Sequence, residues 1–150
     1  MFSITSRLKF NRIFKPVNET HCRYRVVLGS AGSGKSVNAA QDFILKLSDT
    51  KYTGANLLVI RKSEGTNRYS TFAELQAVIF RMCGEYWEDF WIINSSRLMI
   101  TSKITGNSII FRGVNDKKQR EKLKSITFPK GKLVWVWIEE ATELEEADID

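Results

Sequence analysis

The sequence predicts an α/β fold with a mainly parallel β-sheet flanked by helices, and three observations predict it. A short apolar run, Tyr24-Arg25-Val26-Val27-Leu28, leads into a Gly/Ser-rich loop and then into a helical segment. Two further apolar runs, residues 56–60 and 133–138, lack the polar alternation of a half-wet strand, as strands do when helices cover both faces of a parallel sheet. Helix-compatible stretches separate these runs, the alternation that parallel strands require of their connections.

Taken in order, residues 24–28 read as a short buried strand, 29–34 as a loop and 35–47 as a helix. Residues 56–60 read as a second buried strand. Thr71-Phe72-Ala73-Glu74 has the form of a capping box, in which threonine and glutamate satisfy orphan amides. It is followed by Leu75, Val78, Ile79 and Met82 at helical spacing, with Gly84 as the stop. Residues 97–101 and 108–112 are β-rich runs joined through Gly106-Asn107, which predicts a β-hairpin insertion. Residues 115–124 are polar and helix-compatible, and Pro129-Lys130-Gly131 turns the chain into the strand at 133–138. Thr142-x-x-Glu145 offers a second capping box and predicts a helix beginning near Glu143.

At 150 residues, 43% of them hydrophobic and 27% charged, the chain suits one soluble domain with a modest core. Fibrous and disordered classes do not fit, and the run 133–138 is far short of the roughly 20 residues that cross a bilayer. Cys22 and Cys83 are isolated and His21 is the only histidine, so neither a disulfide framework nor a zinc site is indicated and a reducing cytosol is the default. The first 18 residues carry Arg7, Lys9, Arg12 and Lys15 with no acid. Mitochondrial transit peptides share that composition, and it reads here as a basic segment, residues 1–22, ahead of a domain at 23–150. The net charge of +6 is asymmetric: all 23 Lys and Arg precede Glu139 with 10 of the 17 acids, and the last twelve residues hold the other seven. So basic a body points to a polyanionic partner such as nucleic acid. Lys117, Lys118, Arg120, Lys122 and Lys124 are its densest cluster, and the alternative for them is a solvated helix face.

Gly29-Ser30-Ala31-Gly32-Ser33-Gly34-Lys35-Ser36 satisfies G-x-x-x-x-G-K-[ST] at every fixed position. It also sits between a predicted strand and a predicted helix, as this phosphate-binding P-loop requires. Glycines let backbone N–H groups close around phosphate oxygens, and the helix N-terminus adds a favourable dipole. Lys35 would neutralise the β- and γ-phosphates of ATP and Ser36 would supply a hydroxyl to Mg²⁺. At the end of the last apolar strand, Glu139 occupies the place of the acid that holds Mg²⁺. Glu140, next to it, can polarise a water for attack on the γ-phosphate, which favours a hydrolase over a small-molecule kinase. The alternative is that the two glutamates merely open an acidic helix.

With these pieces in place the sequence resembles the terminase large subunits of tailed bacteriophages, over nearly the whole chain. The resemblance rests on the P-loop, on Leu58-Val59-Ile60-Arg61-Lys62 and on Ser70-Thr71-Phe72-Ala73-Glu74-Leu75. It continues through Ile109-Ile110-Phe111-Arg112-Gly113 with Asp116, Lys122-Leu123-Lys124-Ser125, and Trp137-Ile138-Glu139-Glu140-Ala141-Thr142-Glu143-Leu144, in the family's order. It implies a RecA-like P-loop ATPase with an additional catalytic glutamate, in which Lys35 and Ser36 bind MgATP, Glu139 the metal, and Glu140 serves as base. It implies double-stranded DNA as substrate, a small subunit and a portal protein as partners, a homo-oligomeric ring, and the cytoplasm of an infected bacterium. It also implies a γ-phosphate-sensing cation, for which Arg61, Arg112, Arg120 and Lys124 are candidates. Arg61, at a strand's C-terminal end, would face the crevice where ligands bind in open α/β sheets.

The same resemblance implies a nuclease domain and a coupling motif after the last strand, neither of which is read within these 150 residues. It further implies a strand between the P-loop strand and that of residues 133–138, so the expectation is an incomplete sheet whose two neighbouring strands expose their edges. Alternative readings are another nucleic-acid-dependent P-loop NTPase of helicase type, or a remnant that binds nucleotide or DNA without turnover.

Overall fold

The computed structural model describes residues 8–149, with the side chain of residue 149 left aside. The part of the basic N-terminal segment before residue 8 lies outside the described residues. A 3-10 turn at Arg12–Phe14 leads into α1 (Lys15–Glu19), and α2 (Lys35–Ser48) follows the Gly-rich loop. Next come β1 (Ala55–Arg61), α3 (Glu64–Asn67), a π turn at Arg68–Phe72 and α4 (Ala73–Cys83), one nearly continuous helical stretch from 64 to 83. The short α5 (Trp87–Phe90) precedes β2 (Trp91–Asn94), β3 (Met99–Ser102) and β4 (Ser108–Gly113). The basic helix α6 (Lys117–Leu123), β5 (Lys132–Ile138), a 3-10 turn at Ala141–Glu143 and α7 (Glu146–Ile149) complete the chain order.

One five-stranded sheet runs β2-β3-β4-β1-β5. Its centre is parallel: β1 pairs with β4, Leu57 opposite Ile109, and with β5, Val59 opposite Trp137. The β2-β3 and β3-β4 pairings are antiparallel, so the predicted α/β class holds with a mixed sheet, three of its strands parallel. Alternate residues Leu57, Val59, Ile109 and Phe111 point to one face, where they meet Ile44 and Leu47 of α2 and Leu75, Val78 and Ile79 of α4. Burying each of these side chains contributes about 1.5–3 kcal/mol.

Polar ties fix the register. Asn56, wholly buried at the start of β1, donates to Lys130 O at 2.8 Å and accepts from Ser108 N at 2.7 Å, joining the central strand to both neighbours. At the other end of the sheet, the buried Asn67 donates to Val59 O and Arg112 O at 3.2 and 3.0 Å and so pins the helical stretch across β1 and β4.

Several expectations are corrected. Residues 24–28 do not form a strand: Tyr24, Val26 and Leu28 are 76, 83 and 88% exposed. A strand exists through its ladder, and among the described residues no neighbour pairs with this run. β5 is present but buried on one face only: among the described residues β1 is its one neighbour, and its face opposite the helices is open, leaving Val134, Val136 and Ile138 exposed. Helices therefore cover one face of this strand, not both.

Thr71 caps nothing. The chain is already helical before it, its hydroxyl donates to Asn67 O, and the N-cap of the stretch is Ser63, whose side chain accepts from Thr66 N. Likewise Thr142 lies inside a 3-10 turn, and the following helix starts at Glu146. The hairpin at 99–113 is present with a five-residue connection, and the aromatic stretch before it supplies a third antiparallel strand, β2. Asn107 closes this connection, its carbonyl accepting from Ser102 N, while its buried side-chain amide donates to Leu47 O and Tyr52 O and accepts from Gly54 N.

Candidate functional site

The loop at 29–34 ends where α2 begins, and its shape depends on glycine: Gly32 and Gly34 have φ of 74° and 84°, left-handed values that cost an L side chain about 1–2 kcal/mol. Gly34 occupies the N-cap of α2, which leaves the first amides of a 14-residue helix directed at the loop. Lys35 folds its ammonium back over this loop, donating to Gly29 O at 2.6 Å, Ser30 O at 2.9 Å and Ser33 Oγ at 3.1 Å.

Ser36, one residue further along α2, donates its hydroxyl directly to Glu139 Oε1. The two are 103 positions apart in sequence, and they meet because α2 packs through Phe43 on Trp137 of β5, the strand that ends just before Glu139. Glu139 N donates to Ile60 O at 3.0 Å, which extends the β1-β5 ladder one residue past β5 and fixes the backbone there. The other carboxylate oxygen, Oε2, accepts from Trp137 Nε1 at 3.0 Å. Glu140 is exposed and sits in the left-handed region, φ 51° and ψ 56°. For a residue other than glycine that conformation is uncommon and costs on the order of 1–3 kcal/mol.

The segment after Glu140 is fastened to the C-terminal end of β1. Arg61 reaches Glu143, with both Nε and Nη2 at 3.4 Å from its carboxylate oxygens. Lys62 donates to Asp148 at 2.7 Å, and Arg120 of α6 donates to the other oxygen of the same carboxylate at 2.9 Å. The Asp148 side chain is fully buried. The backbone N–H of Glu145, then the Lys62 ammonium and the Arg120 guanidinium, hold its carboxyl down to about 2.

Sequence reasoning placed Gly29, Ser30, Ala31, Gly32, Ser33, Gly34, Lys35, Ser36, Glu139, Glu140 and Arg61 in one site. The structure brings Ser36 and Glu139 into contact, keeps Lys35 on its own loop, and turns Arg61 onto Glu143. Of the other cationic candidates, Arg120 is engaged by Asp148, Arg112 donates to Phe111 O at 2.9 Å, and Lys124 is exposed just past α6. Two participants escaped sequence reasoning. Asp148 accepts locally from Glu145 N at 2.9 Å, but its two cationic partners are 28 and 86 residues away, beyond any local signal. Trp137 had one: residues i and i+2 of a strand share a face, so the spacing Trp137-x-Glu139 already put the indole beside the carboxylate.

A hydroxyl and a carboxylate in contact make an all-oxygen donor pair of the kind that suits Mg²⁺. No group of three or more His, Cys, Asp or Glu that could hold a metal gathers among the described residues. The pair at Ser36 and Glu139 fits an ion that takes its remaining ligands from phosphate and water, which is the usual habit of Mg²⁺.

Residues 21–150 match a family model described as phage terminase large subunit. The chain is 36% identical over 126 residues to the terminase large subunit of Bacillus phage SPP1, an alignment covering 83% of this chain and 27% of that protein. It is 31% identical over 127 residues to the PBSX phage terminase large subunit of Bacillus subtilis strain 168, covering 81% and 25%. The chain thus spans about a quarter of the length of these curated relatives. Among solved structures, the large terminase of a thermophilic bacteriophage is similar in fold, with a TM-score of 0.60 at 19% identity over 81% of this chain and 28% of that one.

Proposed function

This chain belongs to the phage terminase large subunit family, and from that premise we propose that it is the N-terminal part of the ATP-hydrolysing unit of a motor that drives double-stranded DNA into procapsids. The observation that carries the reading is the contact between Ser36 at the head of α2 and Glu139 at the end of β5. It joins a P-loop hydroxyl to a strand-end carboxylate, the two protein groups that an ATP-bound Mg²⁺ needs.

In this reading the backbone amides of 30–35 cradle the phosphates and Lys35 exchanges its loop oxygens for phosphate oxygens, balancing their charge. Ser36 and Glu139 hold the ion, which when bound neutralises charge on the phosphates. Glu140 accepts the proton of the attacking water, a step worth about 10²–10⁴-fold in rate. Arg61 follows Ile60, whose carbonyl takes the Glu139 N–H, and is the cation that would answer to the γ-phosphate on release from Glu143. The basic helix α6 faces the DNA. A small subunit, a portal protein, a ring of like subunits, a nuclease domain and the host cytoplasm complete the proposal on family grounds.

The test compares two variants. Lys35→Ala should weaken ATP binding, whereas Glu140→Gln should keep binding and lose phosphate release. Loss of binding in both, or turnover surviving in Glu140→Gln, would overturn the roles. Translocation of intact duplex separates this motor from a helicase, which would part the strands.

A further inference from the structure

We propose that Trp137 is a positioning residue for Glu139, its indole N–H setting the carboxylate at the orientation in which it meets Ser36 and takes up a divalent cation. The inference rests on the reading of this site as a Mg²⁺–nucleotide site and adds to it a residue outside the loop and the acidic pair.

Both oxygens of Glu139 are separately committed, Oε1 to the Ser36 hydroxyl and Oε2 to Trp137 Nε1 at 3.0 Å. A glutamate side chain has three rotatable bonds, and two fixed donors on its two oxygens leave it one orientation. The donor suits this role, because an indole N–H only donates and cannot become an acceptor at any ordinary pH. It is also held in place. Trp137 is 8% exposed, and its ring stacks on Phe43 of α2 with centroids 6.0 Å apart and planes 25° apart.

Phe43 lies seven residues beyond Ser36, two turns along the same helix and on the same face. The contacts therefore close a circuit: Ser36, Glu139, Trp137, Phe43 and back along α2. Packing between α2 and β5 is converted into an oxygen position. Partners of metal-holding carboxylates act in this manner, and their loss costs about 10–100-fold in metal affinity.

The test uses Trp137→Phe, which keeps an aromatic ring against Phe43 and removes the N–H, beside wild type and Glu139→Gln. Mn²⁺ is titrated by electron paramagnetic resonance into each protein saturated with ADP, and fluorescent ADP binding is measured in EDTA. The expected result is about tenfold or greater weakening of Mn²⁺ uptake in Trp137→Phe, with metal-free ADP binding unchanged. Mn²⁺ affinity equal to wild type in Trp137→Phe, alongside its loss in Glu139→Gln, overturns the role of Trp137 and leaves the site reading intact. Failure of wild type to take up Mn²⁺ with ADP overturns that reading and the inference with it. Should Trp137→Phe fold poorly, the indole N–H proton resonance of Trp137 gives the answer in proteins that keep the tryptophan. It should shift on Glu139→Gln and on adding Mg²⁺–ADP, and indifference to both overturns the proposal.

Discussion

Lys62 donates to the buried carboxylate of Asp148 at 2.7 Å across 86 residues of sequence. Lys62 directly follows β1, and Asp148 lies eight residues beyond Glu140, so this bond ties the acidic segment that follows Glu140 to the C-terminal end of β1. Arg120 on the same carboxylate extends the tie to α6.

That tie makes stability sensitive to acid. The Asp148 carboxyl is lowered from an ordinary value of 3.8 to about 2, so its contribution is fully present above pH 4 and is lost as the pH falls through about 2. Asp148→Asn should melt below wild type at neutral pH, and the two thermal curves should converge on acidification. Parallel curves down to pH 2 would mean that the carboxylate contributes nothing.

Glu140 should invert an ordinary ranking. Elsewhere alanine is the more stabilising replacement, but at a φ of 51° glycine escapes a strain of about 1 kcal/mol that alanine keeps. Glu140→Gly should therefore unfold at higher denaturant than Glu140→Ala. Both should lose ATP turnover by about 10²–10⁴-fold.

The exposed lysines of α6 should act on DNA through phosphates. Lys117, Lys118 and Lys122 are exposed, whereas Arg120 is half-buried against Asp148. Replacing one of these lysines by alanine should reduce the slope of log affinity against log salt by about one if it touches a phosphate. Affinity should fall alike for all duplex sequences. A salt-independent affinity would remove DNA from this face.

Core and edge should separate cleanly. Leu57 is wholly buried at the centre of β1, and Leu57→Ala should cost about 2–5 kcal/mol in denaturant unfolding. Val134 on β5 is 47% exposed, and Val134→Ala should cost no more than about 1 kcal/mol.

What the sequence showed and what it hid divide along the distance over which a signal acts. Residues 35–48, β1, β5 and α6 were legible because helical periodicity, apolar runs and a polar helix-compatible stretch are local signals. Residues 24–28 carried the same apolar signal, but pairing depends on a neighbouring strand that no local pattern encodes. Thr71 and Glu74 matched a helix start because the pattern is blind to whether the preceding turn is already helical, which here it is. The motifs around Lys35 and Glu139 identified both halves of the candidate site, and the fold supplied the contact between Ser36 and Glu139. The Asp148 clamp joins α7 to Lys62 just past β1 and to Arg120 of α6, and no spacing rule reaches that far.

The π turn at Arg68–Phe72 bears on how this chain tolerates changes of length. Asn67 and Leu75 both face the sheet although they are eight residues apart, one more than the seven that return a regular α-helix to the same side. The wide turn absorbs the surplus residue. Deleting one position between 68 and 72 would leave an unbroken α-helix with Asn67 still on its two carbonyls and Leu75 still in the core, while inserting one would rotate α4 off the sheet by about 100°. This stretch can shorten by a residue and cannot lengthen by one, a direction that an alignment of gaps would register long before any change of side chain did.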